Sequence, residues 1–323
     1  MLAADDVLED QSSGGTDRQV RRWLGTAVVI ALLVAIAVHV FRARQDLADI
    51  ERLSIWVLTI TCALQFGSQL LLNQSLLLPL QTCVKGLRFW ELYLVRTGGF
   101  FVGSMVPVAG GLAVRLAYLR GRGLSYMDFT WATLFSNVLA LGAAALVAAA
   151  GTVALWMIAG QPPTLVLAVS AGVFSISVAA VLAFEFLPRL ARHPRLRKWE
   201  SLSTMTGFHA SRRLAAAVFG VSTVRHVLNF TTFGMLYQTL TRVPGDLLTG
   251  GLVYALTSPI RMVTITPGNL GVTEWFVALV GKALAFDVTT GLIVAITFRG
   301  TGLVAQGLAA VLGSSWLAVR SRR

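Results

Sequence analysis

A chain of 323 residues with 55% hydrophobic and only 13% charged side chains has too little charge to cover the surface of a water-soluble globule, and its mean hydropathy of +0.71 agrees. Apolar runs long enough to cross a bilayer recur along it, so a polytopic helical membrane protein is expected. The net charge of +12 does not signal nucleic acid: no basic stripe interleaved with aromatics lies on a soluble segment, and the basic residues gather in loops between apolar runs. The two cysteines, Cys62 and Cys83, lie about 30 Å apart along one helical run at ~1.5 Å per residue, too far for a disulfide. His39, His193, His209 and His226 show no zinc-binding spacing, and no phosphate-loop motif occurs, so neither a metal nor another cofactor is expected.

Residues 1–20 are polar and lack periodicity; they read as a disordered tail before a single membrane domain at 21–323. Arg18, Arg21 and Arg22 precede Trp23 and an apolar run to residue 41. Arg42 and Arg44 follow it where a cleavage site would need small residues, so an uncleaved first span is expected. Asp46, Asp49 and Glu51 lie between these arginines and Arg52 in a linker. A second span covers about 53–80 and a broken apolar segment about 91–122. A third span at about 129–158 ends in the uncharged Gln161-Pro162-Pro163, and a fourth runs over 164–187. Arg189, Arg192, Arg195, Arg197, Lys198, Arg212 and Arg213 then mark a cytoplasmic loop. A fifth span at about 214–240, a tight turn at 242–246, a second broken segment to about 286 and a last span at about 288–319 complete the chain.

The two broken segments share a design. Residues 260–275 hold Pro267, Gly268 and Gly271 between apolar flanks, with Arg261 and Glu274 at depths where charge is costly. Proline bars a continuous helix, and the glycines permit a chain reversal. Residues 96–115 repeat the pattern with Pro107, Gly110, Gly111 and then Arg115. The first segment's roughly 32 residues are too few for two full spans, which need about 40 and a turn, so it is expected to be a re-entrant helical hairpin. The second is read the same way from its proline and glycines. Placing the basic loop inside puts both termini in the cytoplasm. Of the 27 Lys and Arg, only Arg42, Arg44, Arg52 and Arg242 then fall outside. The expected architecture is all-α, about six full spans plus two re-entrant hairpins. They form an inverted repeat of about 21–158 and about 164–320, an arrangement that puts a transport site between broken helices.

Arg225 and Arg299 each lie near the middle of a span, and Asn137 and Asn229 add polar groups within spans. A charge at the bilayer centre costs at least ~2.5–3.5 kcal/mol, so Arg115, Arg225, Arg261, Arg299 and Glu274 should face a cavity or one another. Four guanidiniums against one carboxylate favour an anionic guest, and the forked donors of arginine suit phosphate. A structural role, with the arginines paired to span asparagines, stays open. Gly99 and Gly103 read as helix packing, Trp23, Trp90 and Trp316 as interface anchors, and His226 as a packed polar residue.

The P-x-x-G-G-x-x-x-R pattern at Pro107–Arg115 and the P-G-x-L-G-V-x-E pattern at Pro267–Glu274 resemble the two signatures of the lysylphosphatidylglycerol synthase transmembrane family, a flippase-like membrane domain. Asn269 stands where that family more often has glycine, and Thr273 where it commonly has a basic residue. The resemblance implies a bacterial or archaeal cytoplasmic membrane, lipid translocation, and functional roles for Arg115, Gly271 and Glu274. With no synthase domain after Arg323, aminoacyl transfer is not expected of this chain, and a separately encoded lipid-modifying enzyme is a candidate partner. The leading reading is therefore a non-enzymatic translocase for an anionic phospholipid or polyprenyl-phosphate-type lipid. An integral-membrane transferase and an accessory subunit are the alternatives. The transferase is disfavoured by acid scarcity: five of the 15 Asp and Glu fall within the first 17 residues.

Overall fold

The computed structural model describes residues 53–105, 110–160, 211–262 and 269–321, with scattered helical positions between 164 and 182. The expected tail and first span lie outside the described residues, as do much of the fourth span, most of the basic loop, and Pro107, Pro267 and Gly268. Among the described residues the chain is helical without strands.

Among the described residues, four helices are long and apolar enough to cross a membrane. They are α1 (Ile55–Cys83), α4 (Tyr126–Ala159), α5 (Arg212–Thr241) and α8 (Val288–Ser321). Their 29, 34, 30 and 34 residues exceed the ~20 that a hydrocarbon core requires. The short pieces between them are α2 (Phe89–Met105), α3 (Gly110–Arg120), α6 (Asp246–Thr257), a 3-10 turn (Pro259–Met262) and α7 (Val272–Ala283). With 11 or 12 residues, α3, α6 and α7 are each about 17–18 Å long at ~1.5 Å per residue, well short of the bilayer core.

Each long helix begins at a side-chain cap. Ser54, Ser125 and Ser211 accept from the amides of Val57, Asp128 and Leu214. Asp287 does the same for α8, its carboxylate accepting from the amides of Thr289 (2.7 Å) and Thr290 (3.4 Å). Partial burial alone would raise the Asp287 pKa, but these amide bonds outweigh it and hold the carboxyl below its usual value. A folded-state pKa below the unfolded one adds stability above the unfolded value of about 3.9, and that stability is lost as pH falls through the folded value. Asp287→Ala should therefore lower stability by about 1 kcal/mol at neutral pH. Asp287→Asn should keep most of the cap while removing its acid dependence. Unfolding curves in neutral detergent from pH 7 to pH 3 check both.

The helices pack through glycines and aromatics. On α1 and α5, a methyl placed at Gly67 would stand 3.3 Å from Leu228 Cδ1, while Leu78 lies against the Val218 cluster. These two contacts make α1 and α5 antiparallel. The ring of Phe230 on α5 fills the space beside Gly151 of α4, and Tyr237 fills the space beside Gly250 of α6. The main core joins Phe230, Phe233, Leu236 and Tyr237 of α5 to Leu252, Val253 and Tyr254 of α6 and to Val147 of α4. Helix α8 completes the assembly along α1, where Gln65 faces Gly302.

Helices α2 and α3 run antiparallel. Arg122, just past α3, pairs with Glu91 in the first turn of α2 at 3.2 Å. Further along, Gly99 and Gly111 meet so closely that a Cβ on Gly99 would stand 2.7 Å from the Gly111 carbonyl oxygen, and the reverse 2.6 Å. Only residues without side chains allow this backbone approach.

Candidate functional site

The segment before α7 sets up the site. Asn269 adopts φ 54° and Gly271 φ 81°, a left-handed turn that glycine adopts freely and asparagine tolerates. That turn lets α7 start at Val272 with Glu274 in its first turn. Glu274 Oε2 accepts from the backbone N–H of Gly271 at 2.8 Å, so the carboxylate caps the positive end of its own helix. Its Oε1 accepts from Arg299 Nε on α8, also at 2.8 Å, and Arg299 Nη2 donates to the Asn269 carbonyl at 3.3 Å. The Glu274 side chain is 5% exposed and that of Arg299 26%. The carboxylate is thus fixed on two sides, while the guanidinium keeps a face toward open space.

That space is a cavity of about 220 Å³ between α1, α2, α7 and α8. Gln65 and Gln69 of α1 and Gln306 of α8 line it opposite the ion pair, and Phe100 and Phe298 give it apolar walls. Gln69 also joins it to a second buried charge. Arg96 Nη2 donates to the Gln69 carbonyl at 3.3 Å and to its Oε1 at 3.0 Å, and the guanidinium lies 5.1 Å from the Tyr93 ring centre.

The expected site residues distribute unevenly. Glu274 and Arg299 come together in the cavity. Arg115 is half-buried on α3, its Nε donating to the Gly111 carbonyl one turn back at 3.4 Å. Arg225 is half-buried on α5 and does not line the cavity. The backbone of Arg261 lies in the 3-10 turn, and its side chain is outside the description. Asn137 is exposed on α4 and does not line the cavity. Asn229 is buried in the helix core, donating to Tyr254 Oη at 2.9 Å, and that hydroxyl also meets His226 Nδ1 at 3.1 Å. Asn229 and His226 therefore tie α5 to α6. Of the hairpin-turn residues, Gly110 opens α3, Gly111 packs on Gly99, and Gly271 caps α7.

Sequence reasoning overlooked Gln65, Gln69, Gln306 and Arg96. Gln65 and Gln69 are four residues apart in an apolar span, a spacing that puts both on one helix face. Arg96 stands at the head of the first broken segment, ahead of the Pro107–Arg115 pattern.

Long apolar helices, short broken ones between them, and an ion pair at a cavity lined by glutamines and aromatic rings define a polytopic helical membrane protein. The chain belongs to the family described as the lysylphosphatidylglycerol synthase TM region, whose model matches residues 22–310, both glycine–proline signatures included. No curated protein and no solved structure matches it.

Proposed function

We propose that this protein moves a lipid with an anionic headgroup, an anionic phospholipid or a polyprenyl-phosphate-type lipid, between membrane leaflets without enzymatic chemistry of its own. The observation that carries the reading is the Glu274–Arg299 pair on the wall of its cavity. Arginine has five N–H donors in a planar fork. Nε serves Glu274 and Nη2 reaches Asn269, which leaves donors for a phosphate entering from the cavity. Glu274 faces the guanidinium when no guest is present, and the amide of Gly271 and the α7 dipole hold it in place when the guest arrives. Exchange of partners around one fixed cation lets a phosphate pass mid-membrane without a bare charge at either stage, while the acyl tails stay in lipid.

The topology that goes with this reading has two re-entrant hairpins, α2–α3 and α6–α7, entering from opposite faces, with both termini in the cytoplasm of a bacterial or archaeal cell. Support comes from the packing: exchanging the two halves of the chain turns the α4–α5 contact into α8–α1 and the α2–α8 contact into α6–α4. A separately encoded lipid-modifying enzyme fits as the partner supplying the headgroup.

The test is a proteoliposome assay with headgroup-labelled phosphatidylglycerol and a membrane-impermeant quencher. Glu274→Gln, which keeps the size of the side chain, and Arg299→Lys, which keeps the charge but loses the fork, should each slow transbilayer movement about tenfold, the effect of one charge-assisted hydrogen bond. Unchanged rates in both would end the proposal.

A further inference from the structure

We infer that Arg96, Arg115 and Arg225 form a second site for a phosphate group, separate from the Glu274–Arg299 pair and joined to it through Gln69. The proposal rests on the translocase reading only for the source of the phosphate.

Two packing contacts and one hydrogen-bonded pair set these arginines at neighbouring levels of the bundle. In the antiparallel α2–α3 pair Gly99 faces Gly111. Arg96 lies one turn before Gly99 and Arg115 one turn after Gly111, so both stand at the same level of one seam. In the antiparallel α1–α5 pair Gly67 faces Leu228. Gln69 lies just after Gly67 and Arg225 just before Leu228, so these two are level as well. Gln69 holds Arg96 by two hydrogen bonds and thereby ties the two seams together. The charges of Arg115 and Arg225 both act on Arg96.

Nothing described in the protein balances this charge. Glu91 is engaged by Arg122 and Glu274 by Arg299, and among the described residues no carboxylate pairs with Arg96, Arg115 or Arg225. Arg96 is only 9% exposed, and its Nε is buried with no hydrogen-bond partner. All three lie well inside helices, where an uncompensated guanidinium is costly in a membrane. The like charges of Arg115 and Arg225 raise that cost at Arg96. A tetrahedral oxyanion, with oxygens for several guanidiniums at once, removes it, and both a lipid phosphodiester and free phosphate have this chemistry. Gln69, whose oxygen accepts from Arg96 and which also lines the cavity, links the two charged regions.

The experiment is binding, not transport. The full-length chain in neutral detergent is titrated with dioleoylphosphatidylglycerol and, in parallel, with zwitterionic dioleoylphosphatidylcholine. Bound lipid is counted by native mass spectrometry, and inorganic phosphate serves as a competitor. Phosphatidylglycerol should bind more tightly than phosphatidylcholine. The Arg115→Gln/Arg225→Gln double variant should bind it at least about tenfold more weakly. A control that removes the same charge elsewhere, Lys85→Gln/Arg213→Gln, should bind like the parent. Displacement by inorganic phosphate assigns the site to the oxyanion itself, and resistance to it assigns the site to the lipid form. Should the double variant not fold, Arg115→Gln alone decides, because its described hydrogen bond is to a carbonyl of its own helix. Equal binding by parent and arginine variants, or an equal loss in the control, overturns the proposal. Failure of transport with the arginine-dependent binding intact would remove the translocase reading and leave this site standing.

Discussion

Glu274→Ala is expected to destabilise the protein by roughly 3–5 kcal/mol, the range for stripping one partner from a buried ion pair. The loss has two parts. Arg299 keeps its charge in the middle of α8 with only the Asn269 carbonyl left to meet it. The N–H of Gly271 loses its acceptor at the start of α7, where orphan donors are most numerous. Arg299→Met should cost less, because the carboxylate it abandons still accepts from Gly271 and still faces the positive end of a helix. The Glu274→Ala/Arg299→Met double variant should recover much of the loss, since neither side then leaves a bare charge. Thermal unfolding in neutral detergent, followed through the intrinsic tryptophans, gives the four corners of the cycle. Additivity of the single losses to within about 0.5 kcal/mol would show that the two side chains do not interact.

The long helices were legible because an apolar run needs no partner to declare itself. The expected spans at about 53–80, 129–158, 214–240 and 288–319 lie along α1, α4, α5 and α8. Helices α2 and α3 lie on either side of Pro107, and the 3-10 turn and α7 on either side of Pro267, both prolines lying outside the described residues. The site was legible only as an inventory. Glu274 stood out as a carboxylate in an apolar chain, yet which of four arginines it holds depends on how α7 lies on α8, and no local pattern encodes that. Asn137 and Asn229 read alike in sequence. The first is exposed, and the second is buried against Tyr254. Helices that are apolar all round carry no amphipathic stripe from which to tell one face from the other. The glutamines escaped for a different reason: Gln65, Gln69 and Gln306 carry no charge, and a search organised around charge passes over them.

The second large effect is expected at Gly99. A Cβ there would stand 2.7 Å from the Gly111 carbonyl oxygen and 3.4 Å from its Cα. Both are backbone atoms of α3, so no rotamer change relieves the contact and the two helices must part. Gly99→Val should therefore cost about 2–3 kcal/mol, the upper part of the overpacking range. Gly98 is the internal control. A Cβ on Gly98 meets nothing within 4 Å, so Gly98→Ala should be neutral or gain up to about 1 kcal/mol from helix propensity. Two adjacent glycines of one helix are thus expected to respond with opposite sign. The change at Gly99 also reaches the arginines, because the Gly99–Gly111 contact sets the level of Arg96 against Arg115. Phosphatidylglycerol binding in Gly99→Val should fall with stability, while in Gly98→Ala both should hold. Equal unfolding midpoints for the two variants would mean that α2 and α3 do not touch through these glycines, and the alignment of Arg96 with Arg115 would go with that contact.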